Sequence, residues 1–195
     1  GRKLSWFELI PIFSWFYLKG RCLACNKKIP IRYPLVELFV GFFSYYYFYG
    51  EPLSILLILY YLFIISFLLN ALTDIDDYSV YDPFLFFMTI VAVLFSLFRG
   101  DLLTSLLSAF VLVVAIGAVS YVVGLIFKKK SMGGGDYFVF FSIGIILNAE
   151  QILNVLLLSS IAGIIVAGIT GKNKLPFYPL IFIGFMLVNY GVSLL

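Results

Sequence analysis

Long apolar runs alternate with short polar ones along nearly the whole chain. Residues 52–72, 83–98, 102–127 and 152–170 are almost uncharged, and a hydrocarbon core of about 30 Å is crossed by about 20 such residues in a helix. An amphipathic soluble helix would carry a polar face at a 3.6-residue period, and these runs lack one. The pattern predicts an all-α, polytopic integral membrane protein. Counting the shorter runs too, it predicts seven transmembrane helices, near residues 34–50, 53–72, 83–98, 102–127, 136–147, 152–170 and 176–195. Residues 1–33 read as a cytoplasmic or interfacial segment, in which 9–16 is too short and too interrupted by Pro11 to span, leaving 34–195 as one transmembrane domain. Small residues at Gly163, Ala167 and Gly168 predict close helix packing on the sixth span, against a neighbour in this chain or in another.

Composition agrees with this reading. Of 195 residues 63% are hydrophobic and 12% charged, against about 25% charged in soluble domains. The net charge of +3 says less than the placement of the charges. Seven of the thirteen Lys and Arg residues lie in residues 1–33, three form Lys128-Lys129-Lys130, and Lys172 and Lys174 close the sixth span. With seven spans, twelve of the thirteen fall on one face and Arg99 alone on the other. The positive-inside tendency makes the basic face cytoplasmic, and the lysine triplet there is suited to anionic lipid. A nucleic-acid binder would array its basic residues along one exposed face; these sit in short loops, so no nucleic-acid partner is expected.

Candidate chemistry is confined by what is missing. The chain has no His, which removes His-based triads and His-rich zinc sites. Cys22 and Cys25 form one CxxC among basic residues. It is either half of a four-thiolate zinc knuckle, with the other half upstream of Gly1, or an unmetallated pair. Two other stretches stand out. Asp74, Asp76, Asp77 and Asp82 place four carboxylates in nine residues, with Asp74 directly behind an apolar run, at the membrane rim where ionisable groups tend to be functional. Ser131-Met132-Gly133-Gly134-Gly135-Asp136 puts three glycines and a carboxylate after the lysine triplet. The glycines are either a flexible turn into a helix or room for Asp136 to approach another group. Asp77 and Asp82 read equally well as loop and helix-start residues.

Asp74 and Asp136 are then expected at inner helix ends on one face. Two carboxylates that share a proton supply a base for water and an acid for a leaving amine, the requirement for amide hydrolysis. Two rival chemistries use the same residues. Asp74, Asp76 and Asp77 offer oxygen ligands for Mg²⁺ in an enzyme acting on a lipid diphosphate, and a carboxylate pair also serves an ion-coupled transporter, although such sites are expected near the midplane.

The motifs resemble the type IV prepilin peptidase family, bacterial branch. Met132-Gly133-Gly134-Gly135-Asp136 is similar to the GxGD motif, and Ala71-Leu72-Thr73-Asp74-Ile75-Asp76 is similar to the segment bearing the first aspartate. Leu4-Ser5-Trp6-Phe7-Glu8-Leu9-Ile10-Pro11, Ser14-Trp15, Gly20-Arg21-Cys22-Leu23-Ala24-Cys25 and Ile31-Arg32-Tyr33-Pro34-Leu35-Val36-Glu37 resemble the cytoplasmic region of bacterial members. The resemblance implies an aspartic endopeptidase of the inner membrane, catalytic residues Asp74 and Asp136 facing the cytoplasm. It would cut the basic leader from a prepilin or pseudopilin, with Asp76, Asp77, Asp82 and Glu37 as acidic leader contacts. Peptide cleavage then needs no cofactor. The resemblance further implies a structural zinc at Cys22 and Cys25 and, in bifunctional members, methylation of the new N-terminus from S-adenosylmethionine. Two positions depart from the family: Tyr81 stands where Pro is usual, and Phe138 where a Lys usually follows the GxGD aspartate.

Overall fold

The protein is described in a computed structural model for residues 3–77, 81–128, 133–171 and 175–190; the side chains of Asp77, Phe127 and Tyr190 also fall outside the description. Among the described residues every regular element is helical apart from one isolated bridge. The chain divides into two compact units, Gly1–Leu53 and Ser54–Leu195.

The first unit holds a 3₁₀ turn at Trp6–Leu9, a short helix α1 (Phe13–Tyr17) and a longer helix α2 (Arg32–Phe48). Between α1 and α2 the chain folds back on itself through an Arg21–Lys28 bridge, with the Ile29 N–H donating to the Gly20 carbonyl at 2.7 Å. Trp15 anchors this hairpin by donating its indole N–H to the Ile29 carbonyl at 3.0 Å. Gly20 has φ +64°, and a β-carbon there would come within 2.8 Å of the Trp15 ring, so both backbone and packing require glycine. Before α1, Ile12 takes φ +65° and ψ −56°, with the Phe13 N–H donating to the Pro11 carbonyl at 2.6 Å. This strained γ-turn is held by Glu37 of α2, whose carboxylate accepts the Ile12 N–H at 2.7 Å.

The second unit is a bundle of six helices among the described residues: α3 (Ile55–Asp77), α4 (Asp82–Arg99), α5 (Leu102–Phe127), α6 (Gly134–Ile146), α7 (Ala149–Thr170) and α8 (Tyr178–Tyr190). Four helices are long and apolar enough to cross a membrane: Ile55–Asp76, Asp82–Arg99, Leu102–Ile126 and Ala149–Thr170. α2 has 17 residues, and α6 and α8 have 13 each. At 1.5 Å per residue the latter two are about 20 Å long, short of a bilayer core. The seven predicted runs thus appear as seven helices, four of them of membrane-crossing length. The last predicted run continues into residues 191–195, outside the described residues.

Lipid tails are as apolar as leucine, so helices in a membrane associate through packing rather than through escape from water. The packing here is aromatic along α3. Phe67 meets Phe182 and Phe185 of α8 at ring distances of 5.3 and 5.6 Å, and Tyr60 meets Phe95 of α4 at 5.7 Å. α3 is accordingly an interior helix, with 44% of its span buried, whereas 6% of α5 is. Glycine sets two closer contacts. A β-carbon on Gly144 of α6 would lie 2.8 Å from the Ala109 Cα of α5, and one on Gly184 of α8 would lie 2.6 Å from the Ser159 Oγ of α7. Of the small residues on α7, Gly163 makes an ordinary contact with Leu180 at 3.5 Å, and no described atom of this chain lies within 4 Å of a β-carbon on Gly168. Glycine in a helix marks close approach only where a neighbour occupies its face.

α4 and α6 run parallel in a register fixed by a hydrogen bond of 2.8 Å between the Thr89 and Ser142 hydroxyls and by the Phe86–Phe138 ring contact at 5.8 Å. Equal steps back from Thr89 and Ser142 bring the start of α4, at Asp82 and Pro83, level with Asp136. At the other end α4 outruns α6, and its C-cap Gly100 takes φ +88°. The Arg99 guanidinium reaches back to donate to the Ile146 carbonyl at 3.0 Å and the Ile145 carbonyl at 3.2 Å. These are carbonyls that a helix end leaves without partners.

Candidate active site

Asp74 lies in the last turn of α3, which continues past the expected stop at Leu72 as far as Asp77. The helix places residues two apart on nearly opposite faces. Asp74 is buried at 7% exposure, while Asp76 is exposed. The Asp74 Oδ2 accepts the Tyr178 main-chain N–H at 3.0 Å, with the Phe177 N–H beside it. Tyr178 is the first residue of α8, so its N–H belongs to a helix terminus that needs an acceptor, and the terminus in turn favours negative charge. Asp74 caps a helix 104 positions away in sequence.

Asp136 is the third residue of α6, and its Oδ2 accepts the Gly133 N–H at 2.9 Å. Gly133 is extended (φ −80°, ψ 160°) and Gly134 and Gly135 form the first helical turn. The described glycines therefore start a helix rather than form a free turn. Ser131 and Met132 of the motif, with Lys129 and Lys130, lie outside the described residues. Each carboxylate thus sits at the amino end of a helix, Asp136 on its own and Asp74 on another.

The two groups come together in charge. Asp74 acts electrostatically on Asp136. The Tyr178 hydroxyl is within reach of the charges of Asp136, Asp74 and Asp82. Asp82 begins α4, Tyr81 occupying its N-cap and Pro83 its first turn. The end of α3 and the starts of α4, α6 and α8 therefore meet at one pole of the bundle. Carboxylates gathered at one pole are placed to serve as an acid and a base in turn.

The other expected residues are distributed differently. Glu37 belongs to the first unit, where its carboxylate is engaged with Ile12. Asp77 falls where side chains are not described. Phe138, at the position where Lys is usual, packs against Phe86. Cys22 and Cys25 sit on the hairpin of the first unit, where the Cys22 N–H donates to the Lys27 carbonyl and the Asn26 N–H to the Cys22 carbonyl, each at 2.9 Å. This turn presents two cysteine side chains, half of what a tetrahedral zinc site takes. Among the described residues no three His, Cys, Asp or Glu side chains gather into a metal cluster. Tyr178 was absent from the expected site residues. Its only sequence signal is its position between Pro176 and Pro179, at the start of an apolar run.

An apolar bundle with four membrane-length helices, gathering two aspartates at one pole, defines a membrane protein built around a carboxylate pair. Comparison with known proteins gives the class its particular form. Residues 61–168, which contain both aspartates, match the model of the type IV leader peptidase family, and residues 1–50 match the bacterial peptidase A24 N-terminal domain. The chain belongs to the type IV leader peptidase family. It is similar to a prepilin leader peptidase/N-methyltransferase of Myxococcus xanthus, with 31% identity over 85% of this chain and 50% of that protein. A protein of the same description from Vibrio cholerae is 28% identical over 100% of this chain and 80% of its own length. A type 4 prepilin-like proteins leader peptide-processing enzyme of Escherichia coli is 32% identical over 90% and 67%. The chain thus spans half the length of the first relative and four fifths of the second. No solved structure matches it.

Proposed function

We propose that this protein is an aspartic endopeptidase that removes the basic leader of type IV prepilin-like proteins at the cytoplasmic face of the inner membrane, with Asp74 and Asp136 as its catalytic pair. The observation that carries the reading is the meeting of Asp74 and Asp136, from helices about sixty residues apart in sequence, at one pole of an apolar bundle. In this mechanism one carboxylate, ionised, takes a proton from a water that attacks the scissile carbonyl carbon. The other, protonated, gives its proton to the departing amide nitrogen as the C–N bond breaks. The pair ends with its protonation inverted and resets through solvent. No metal or cofactor enters these steps.

The seven helices are read as seven spans, the shorter ones completed by their flanking residues, with the basic loops and the aspartate pole in the cytoplasm. Asp76 and Asp82, both exposed, are the nearest acidic contacts for a basic leader. Cys22 and Cys25 are read as half of a structural zinc site whose role is to pin the hairpin. Methylation of the new N-terminus with S-adenosylmethionine is carried by the names of the relatives alone, and no residue is assigned to it.

Replacing Asp74 or Asp136 by Asn tests the reading. Asn retains an oxygen that can accept the Tyr178 or Gly133 N–H, so both variants should fold. Each should cut a prepilin in detergent or liposomes at least about a thousandfold more slowly. Substantial cleavage by either would remove the pair. Lipid-diphosphate turnover dependent on Mg²⁺, or solute uptake without cleavage, would establish a rival chemistry instead.

A further inference from the structure

Tyr178 holds one carboxylate of the pair by its main chain and lies within the field of the other by its side chain. Its main-chain N–H holds Asp74 at 3.0 Å. Its side chain, 1% exposed, ends in a hydroxyl with no hydrogen-bond partner among the described residues. A buried hydroxyl without a partner is costly, and one that persists in a folded protein calls for an explanation such as a catalytic role or a bound water. The groups around this one identify its acceptor. The charges of three carboxylates reach it: Asp136 from α6 most strongly, then Asp74 from α3 and Asp82 from α4. Asp74 has its Oδ2 engaged with the Tyr178 N–H, and Asp82 is exposed to solvent. A neutral phenol beside anions is a hydrogen-bond donor.

We infer that Tyr178 is a positioning residue for the aspartate pair, its main-chain N–H fixing Asp74 and its phenol donating a hydrogen bond, through one water, to Asp136. One residue at the start of α8 would then tie the ends of α3 and α6 together. By holding each carboxylate through a different bond, it makes the two unequal, as an acid and a base acting in turn must be. The burial of the ring keeps it from the peptide, so it acts through Asp136 and not on the substrate. The inference rests on the peptidase reading only for its kinetic readout.

Tyr178→Phe removes the hydroxyl alone. The folded variant should melt at the wild-type temperature or slightly above it, because a polar group without a protein partner has been taken from the interior. Its kcat for prepilin cleavage should fall about tenfold with KM little changed. The acidic limb of its pH profile should move to higher pH, since loss of a donor to a carboxylate favours the protonated form. Carbodiimide labelling of Asp136 against pH, followed by mass spectrometry without substrate, should show its midpoint moving the same way. An unmoved midpoint with wild-type kcat, or a variant that fails to fold, would overturn the inference. A shifted midpoint in a protein whose wild type cuts no prepilin would uphold the positioning role and overturn the peptidase reading.

Discussion

Arg99 donates to the Ile146 carbonyl at 3.0 Å, closing a helix other than its own. The same guanidinium donates to the Ser105 Oγ at 2.9 Å, pairs with Asp101 at 2.7 Å and lies 5.2 Å from the centre of the Phe95 ring. Arg99 is the one basic residue that the seven-span topology puts on the outer face. α6 ends earlier than α4 and leaves carbonyls that a long forked cation can reach. Arg99→Ala should lower stability by about 1–3 kcal/mol, reduced from a fully buried charged bond because the side chain is one-third exposed. Arg99→Lys should fall between, since an ammonium cannot serve these acceptors as a fork does. Thermal unfolding in detergent measures both.

Asp101 adds a pH dependence. Its burial would raise the carboxyl, but the hydrogen bond and charge of Arg99 outweigh this and hold it below the ordinary carboxylate range. A depressed folded value means that the contribution is complete above the unfolded value of about 4 and is lost as pH falls through the lower folded value. Stability should therefore drop in that acidic window by less than about 1 kcal/mol on this account, given partial exposure. Asp101→Asn should lack that component, as equilibrium unfolding against pH would show.

Gly144→Val should destabilise by about 1–3 kcal/mol or more, because α5 and α6 must separate to admit a side chain. Gly168→Ala meets open space and should change stability by less than about 0.5 kcal/mol. Equal effects in unfolding experiments would contradict the packing described.

Asp76→Asn separates the two faces of the end of α3. Asp76 points away from the buried Asp74, so its loss should raise KM for a basic leader by about two- to fivefold with kcat unchanged. A collapse of kcat like that of Asp74→Asn would mean that the two carboxylates act together, as a metal-bound reading requires.

Cys22→Ser and Cys25→Ser should each reduce bound zinc, measured by atomic emission on the whole protein, and the double variant should lose no more than either single one. Chelation should lower the melting temperature of wild type and leave the variants unmoved. Zinc content unchanged by the substitutions would leave the thiols unmetallated.

Much of this was legible in residue order. Runs of uncharged residues give the helices directly, because the apolar interior of a bilayer leaves a chain few alternatives. Asp74 and Asp136 stand out because a carboxylate beside such a run is rare. What escaped depends on contacts between distant segments. α3 continues past Leu72 through Asp74, which is caught by α8, and no local pattern around Leu72 announces that. Gly168 and Gly144 look alike in sequence and differ only in whether Ala109 lies opposite. Tyr178 carries no motif, and its burial and missing hydroxyl partner exist only once α3, α4, α6 and α8 have converged. Arg99 is visible as an anomaly, but its cause is the difference in length between two neighbouring helices.

α3 packs principally on α4, and α6 packs on α4 as well as on α5. The gap between the two aspartates is therefore set by the girth of a third helix, which acts as a spacer. On its line of contact α4 presents Ala92, fully buried, and Thr89, which bonds to Ser142. Enlarging a side chain there would act as a shim, prising the pair apart from inside the bundle with every residue of the pole left intact.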